Sequence, residues 1–244
     1  MSEILRVNHL RKANIIKNIC FAMQEGEMVA IMGPSGSGKS TLLYNVSGMD
    51  RADEGELYRG ETEISGLSED GKAALRLKRM GFVFQQMNVL ENLNIIDNIV
   101  LPALHADKKQ RKKHYERARA LLEDFRIQDL AERRVNEVSG GQLQRACICR
   151  SMIMDPEIIF ADEPTGALNQ AAAAEVMDAF LSINRKGTTI LMVSHDSKIA
   201  SFCERILYML DGEIKGEFRL GKYRGGDERI REEKTAGWLK DMGW

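Results

Sequence analysis

The chain has 244 residues, with 35 Lys and Arg against 36 Asp and Glu and a formal net charge of −1. That balance provides no basic field for a phosphodiester backbone, so no nucleic-acid partner is expected. A hydrophobic content of 43% suits a globular chain with a sizeable core, and no apolar run approaches the ~18 residues of a membrane-spanning helix.

Residues 27–32, Glu27-Met28-Val29-Ala30-Ile31-Met32, read as a buried strand. The strand feeds Gly33-Pro34-Ser35-Gly36-Ser37-Gly38-Lys39-Ser40, which fits GxxxxGK[ST] at every fixed position, and residues 40–47 read as the helix that follows. In that setting the N–H groups of Gly36 to Lys39 can converge on phosphate oxygens, because glycine lacks the Cβ that would block the approach. The helix N-terminus adds positive potential. Lys39 is expected to reach the β- and γ-phosphates, and the Ser40 hydroxyl to enter a Mg²⁺ shell. The candidate cofactor-binding set is Gly33, Pro34, Ser35, Gly36, Ser37, Gly38, Lys39, Ser40 and Thr41.

Residues 55–60 read as a strand between turns, and Gly81-Phe82-Val83-Phe84 as an alternating strand ending at Gln85. Asn92 to Ile99 read either as a surface offered to a partner or as a capped helix packed on the core. The basic run Lys108-Lys109-Gln110-Arg111-Lys112-Lys113 leads into a helix through Phe125 and reads as a solvated face. Val138-Ser139-Gly140-Gly141-Gln142 is a second glycine turn, opening a helix over about 142–154. Such a start either caps itself or offers its N–H groups to an anion. Ile158-Ile159-Phe160-Ala161-Asp162-Glu163 is an apolar strand ending in two carboxylates, and buried parallel strands deliver their last residues to the ligand-binding edge of a sheet. Asp162 is then placed to hold Mg²⁺ and Glu163 to polarise an attacking water as general base. Thr189 to Val193 form a further strand, followed by Ser194-His195-Asp196. Arg205 to Leu210, the Asp211-Gly212 turn and Glu213 to Phe218 read as a hairpin.

Taken in this order, the motifs resemble those of the nucleotide-binding subunits of ATP-binding-cassette (ABC) transporters over nearly the whole chain. The resemblance implies an α/β fold: a P-loop NTPase (RecA-like) core with a small antiparallel β-subdomain and an inserted α-helical signature subdomain. The core would comprise residues 1–86 and 155–221, the helical insertion 87–154, and a charged tail 222–244 would hold a short helix around Trp238, Leu239 and Met242. Gln85 resembles the Q-loop glutamine, touching Mg²⁺ or the attacking water. His195 resembles the switch histidine that positions the water with Glu163. Ser139, Gly140, Gly141 and Gln142 resemble the signature that meets the γ-phosphate held by an opposite subunit, so a homodimer is implied in the ATP-bound state. Gly166-Ala167-Leu168-Asn169 resembles the D-loop.

Two positions depart from that pattern: Asn14 falls where an adenine-stacking aromatic is expected, and Asn169 replaces the D-loop Asp. The phrases Ala161-Asp162-Glu163-Pro164-Thr165-Gly166-Ala167-Leu168-Asn169 and Gly81-Phe82-Val83-Phe84-Gln85-Gln86 resemble the macrolide-exporter, lipoprotein-releasing and peptide-resistance group. Its members pair the cassette with a separate transmembrane permease. The N-terminus lacks the basic and apolar regions of a secretory signal, so a cytoplasmic location on the inner membrane face, with membrane contact through the permease, is expected. A soluble ABC ATPase or a nucleotide-gated clamp acting on a protein assembly remains the alternative. The four cysteines, Cys20, Cys147, Cys149 and Cys203, make no CxxC pair and read as reduced, mostly buried thiols.

Overall fold

Residues 2–244 are described by a computed structural model, in which the chain divides into two units, Met1–Lys72 with Thr189–Trp244, and Ala73–Thr188. In the first unit, β1 (Glu3–Lys12) and β2 (Ile16–Gln24) pair antiparallel with register shifts that break the strict alternation of buried and solvent-facing residues. With β4 (Glu54–Arg59) and β5 (Thr62–Glu63) they form an antiparallel sheet in the order β2-β1-β4-β5. By contrast β3 (Met28–Met32) is buried at all five positions, the continuous apolar run expected of a parallel strand covered on both faces. It lies between β8 (Thr189–Val193) and β9 (Arg205–Leu210), parallel to both, and β10 (Glu213–Arg219) closes the hairpin on β9. Pairing of Ile31 with Val193 and of Met32 with Tyr208 brings the carboxyl ends of the three parallel strands level.

The tail departs from the short helix expected around Trp238: α8 runs over 14 residues, Glu228–Asp241. Apolar spacing marks only its last turns, because the first turns are charged and are held by polar contacts instead. Arg231, 4% exposed, donates to the carbonyls of Ser201, Cys203, Leu220 and Gly221. At the other end Trp238 stacks on Phe218 with centroids 5.1 Å apart, and Leu239 is fully buried. The tail helix therefore docks on β9, β10 and the short helix α7 (Ser197–Ala200) of its own unit.

In the second unit β6 (Met80–Phe84) and β7 (Ile158–Asp162) form a parallel pair. Around it are the helices α3 (Ile95–Ala106), α4 (Arg111–Asp124), α5 (Gly140–Met152) and α6 (Gln170–Arg185). Helix α5 is the hub, packing on the other three helices and on β6. It starts at Gly140 rather than Gln142, because Ser139 supplies the cap. Its closeness to β6 requires Gly81, where a Cβ would sit 2.8 Å from the Ser151 carbonyl oxygen. Cys147 and Cys149, two apart on α5, are both buried, as is Cys203, while Cys20 is exposed. Burial raises the thiol pKa of Cys147 and Cys149 and pushes that of Cys203 up to about 12, which leaves all three as neutral thiols. The basic run at 108–113 is exposed.

Candidate active site

The loop Gly33–Lys39 leaves the carboxyl end of β3 and runs into α1 (Lys39–Val46). Gly33 cannot be replaced without moving the backbone: at φ +152 its Cβ would lie 1.9 Å from the Met209 carbonyl oxygen on β9. Gly36 and Gly38 take φ +82 and +97, conformations that favour glycine. Gly38 is the N-cap of α1, and no side chain caps that helix. Lys39 is 7% exposed and folds over the loop, its Nζ donating to the carbonyls of Gly33 at 2.7 Å and Pro34 at 2.9 Å. Ser37 Oγ is buried with no hydrogen-bond partner. Ser40 and Thr41 are half-buried in the first turn, and Ser35 is exposed.

The same edge of the first unit carries His195. It follows β8 by two residues, is exposed, and precedes Asp196, whose carboxylate accepts from Lys198 N–H and caps α7. Buried Ser194 accepts from the Asp196 N–H at 3.1 Å, fixing the turn that carries the imidazole. Asn14 is exposed in the turn between β1 and β2, where the neighbouring Ile15 is 45% exposed and lies against Gly38. An aliphatic side chain thus occupies the rim of the loop where the sequence showed no aromatic.

In the second unit the register between β6 and β7 pairs Phe84 with Asp162. Gln85 and Glu163, the next residue on each strand, therefore emerge together at the carboxyl edge. Gly166 measures how close they come: a Cβ there would lie 3.1 Å from Gln85 Nε2 and 3.2 Å from Glu163 Oε2. Asp162 is 9% exposed at the end of β7, and Glu163 takes φ +44, a strained conformation for a side-chain-bearing residue. The intervening turn is closed by Gly166 N–H donating to the Glu163 carbonyl at 3.0 Å.

Ser139 and Gln142 satisfy one another. The Ser139 Oγ accepts from Gln142 N–H at 3.3 Å, and Ser139 N–H donates to Gln142 Oε1 at 2.8 Å, a reciprocal capping box at the start of α5. Ser139 and Gly140 are exposed, whereas Gly141 is buried against Ala172 of α6. A family profile described as "ABC transporter" matches residues 16–166, from β2 through both glycine turns to Gly166. The chain belongs to the ABC transporter family.

As an ABC ATP-binding domain it binds and hydrolyses ATP, and its relatives carry names from transport. It is 39% identical over 221 residues to the lipoprotein-releasing system ATP-binding protein LolD of Aquifex aeolicus, covering 89% of this chain and 98% of that protein. It is likewise 39% identical over 213 residues to the bacitracin export ATP-binding protein BceA of Halalkalibacterium halodurans, covering 87% and 84%. Among solved structures it resembles the dimeric, post-hydrolysis ATP-binding cassette MJ0796 bound to ADP and Pi. The TM-score is 0.79 and the identity 33%, over 91% of this chain and 100% of that one. That cassette is a protein of Methanocaldococcus jannaschii. The α/β P-loop NTPase fold expected from the motifs is the fold of the cassette.

Asn169, the departure from the D-loop pattern, is the N-cap of α6: its Oδ1 accepts from Ala172 N–H at 2.9 Å. Asn and Asp cap helices about equally well, so the local fold is kept while a negative charge is lost. Sequence reading missed the partners that crowd the motif glycines, Met209 at Gly33 and Ala172 at Gly141, because neither pairing carries a local signal. Among the described residues no helix is long and apolar enough to cross a membrane.

Proposed function

We propose that this cassette is the ATP-hydrolysing motor subunit for a separate membrane permease that exports, or gives resistance to, peptides, antibiotics or lipid-linked substrates. The names of LolD and BceA support the transport class, and dimeric MJ0796 supports action as a pair of cassettes. The reading sets the chain on the cytoplasmic face of the membrane, with contact through the permease and a homodimer in the ATP-bound state. The observation that carries hydrolysis is the emergence of Gln85 and Glu163 side by side beyond β6 and β7.

The loop's chemistry fits a nucleotide. Gly36 and Gly38 hold the loop in left-handed conformations, the helix start has no side-chain cap, and the buried Ser37 hydroxyl lacks a partner. Gly33 to Thr41 would hold the phosphates, with Lys39 as their counter-charge. By their chemistry the oxygen donors Ser40, Gln85 and Asp162 would suit Mg²⁺. Bound there, Mg²⁺ would neutralise charge on the transferring phosphoryl group. Glu163 would take a proton from water as general base, and His195 and Gln85 would orient that water and the phosphate. Ser139, Gly140, Gly141 and Gln142 would complete the partner cassette's site. Their capping box fixes the turn that opens α5, and the remaining N–H groups of that turn would face the incoming anion.

The test is the pair Glu163→Gln and Lys39→Ala. Glu163→Gln should lose ATP turnover yet double in mass by light scattering with saturating ATP and Mg²⁺, and Lys39→Ala should lose both. Turnover persisting in either variant would refute the residue assignments. Copurification of a multi-span permease from gently solubilised host membranes is the expected result for the transport role, and recovery of a protein assembly without one would favour the soluble alternative.

A further inference from the structure

The segment after Gln85 has no regular structure until α3, and its main chain is held by side chains from two helices. Three residues at successive three-residue steps on α5 reach its carbonyls. Gln144 Nε2 donates to Phe84 O at 3.2 Å, and Cys147 Sγ to Met87 O at 3.5 Å. Arg150 donates from Nη2 to Met87 O at 2.7 Å and from Nη1 to Asn88 O at 2.8 Å. Successive carbonyls of an extended chain point to opposite sides. Asn88 breaks that alternation with φ +46, so both carbonyls face one guanidinium fork. Farther on, buried Asn98 of α3 takes both polar groups of Leu90, accepting from its N–H at 2.8 Å and donating to its carbonyl at 3.0 Å.

Helix α5 is also the helix that Ser139 and Gln142 open, so one element holds the signature turn at its start and grips the Gln85 segment along its side. We propose that Arg150 and Gln144 are positioning residues for Gln85, clamping its segment to the signature helix so that Gln85 and the signature turn respond to nucleotide as one body. This rests on the assignment of Gln85 made above. Arg150 is the principal clamp, because a planar fork binding two carbonyls with charge-assisted hydrogen bonds fixes direction as well as distance, which an ammonium cannot do. Without it the segment relaxes, and a catalytic side chain displaced by about an ångström costs on the order of a hundredfold in rate.

The experiment uses the full chain with ATP and excess Mg²⁺, measuring kcat and KM for parent, Arg150→Met, Arg150→Lys, Gln85→Ala and the double variant Gln85→Ala/Arg150→Met. Arg150→Met should lower kcat about 10- to 100-fold with KM within about twofold, and Arg150→Lys should recover part of the loss. The double variant should be no slower than Gln85→Ala alone, since a clamp that acts through Gln85 has nothing to add once that side chain is gone. Multiplicative effects in the double variant, an unchanged kcat in Arg150→Met, or a loss confined to KM would overturn the proposal. If Gln85→Ala keeps parental kcat, the role of Gln85 falls and the clamp with it. A slow Gln85→Ala beside a fully active Arg150→Met removes the clamp alone. Should Arg150→Met fail to fold, Gln144→Leu replaces it, with the same non-additivity required.

Discussion

Gly141 gives a sharp test of how the signature helix is seated. A Cβ at this position would lie 2.7 Å from the Ala172 Cβ, short by about 0.7 Å of the 3.4 Å at which ordinary contact begins. A methyl group on a helix start cannot rotate away, so α5 and α6 must shift apart. Overpacking of this kind costs about 1–3 kcal/mol, while replacing a helical glycine by alanine returns about 1 kcal/mol of propensity. Gly141→Ala should therefore be destabilised by up to about 2 kcal/mol, lowering Tm by up to about 8 °C in a chain of this size. Ala172→Gly alone should cost about 1 kcal/mol. The exchange Gly141→Ala/Ala172→Gly restores one small and one smaller residue across the contact and should lie close to the parent, a coupling of about 2 kcal/mol. Urea unfolding followed by circular dichroism, with unchanged m-value, provides the measurement. A Gly141→Ala variant more stable than the parent by the propensity gain, or strict additivity in the cycle, would refute the reasoning.

Arg231→Met should destabilise the first unit by about 2–4 kcal/mol, because it strands four carbonyls that a buried guanidinium now satisfies; calorimetry should show the loss, and an unchanged Tm would mean that α8 is not held by this residue. Burial raises the Glu204 carboxyl pKa, outweighing the attraction of Lys222. A carboxyl raised on folding contributes stability below its unfolded pKa that is lost as pH rises through the folded pKa. Glu204→Gln should accordingly melt higher than the parent at pH 7, with the gain vanishing near pH 4; a pH-independent difference would contradict this. Asn14→Tyr should lower KM for ATP about fivefold if a stacked base gains about 1 kcal/mol, and equal KM values for parent and variant would show that no base reaches the β1–β2 turn.

The two glycine turns, the strand-end carboxylates and the Ser139 cap were legible in the sequence because each is a local device. Phosphate-loop geometry depends on consecutive residues, the Ser139 cap on residues three apart, and the buried strands on unbroken apolar runs. The tail was read less well: a periodic apolar signal covers its last turns, whereas its first turns depend on one arginine meeting carbonyls that the chain delivers from elsewhere.

Only the tertiary structure decided which distant residues meet. The β6–β7 register turns Gln85 and Glu163 into neighbours, and a shift of one residue would separate them. Met209 and Ala172 leave no free room for a side chain at Gly33 and Gly141 through the space they occupy. Arg150 and Gln144 find the Gln85 segment because α5 packs along β6. Local hydrogen bonding and backbone preference are written along the chain, while close packing depends on which surfaces fold together, and no short window of sequence contains both sides of such a contact.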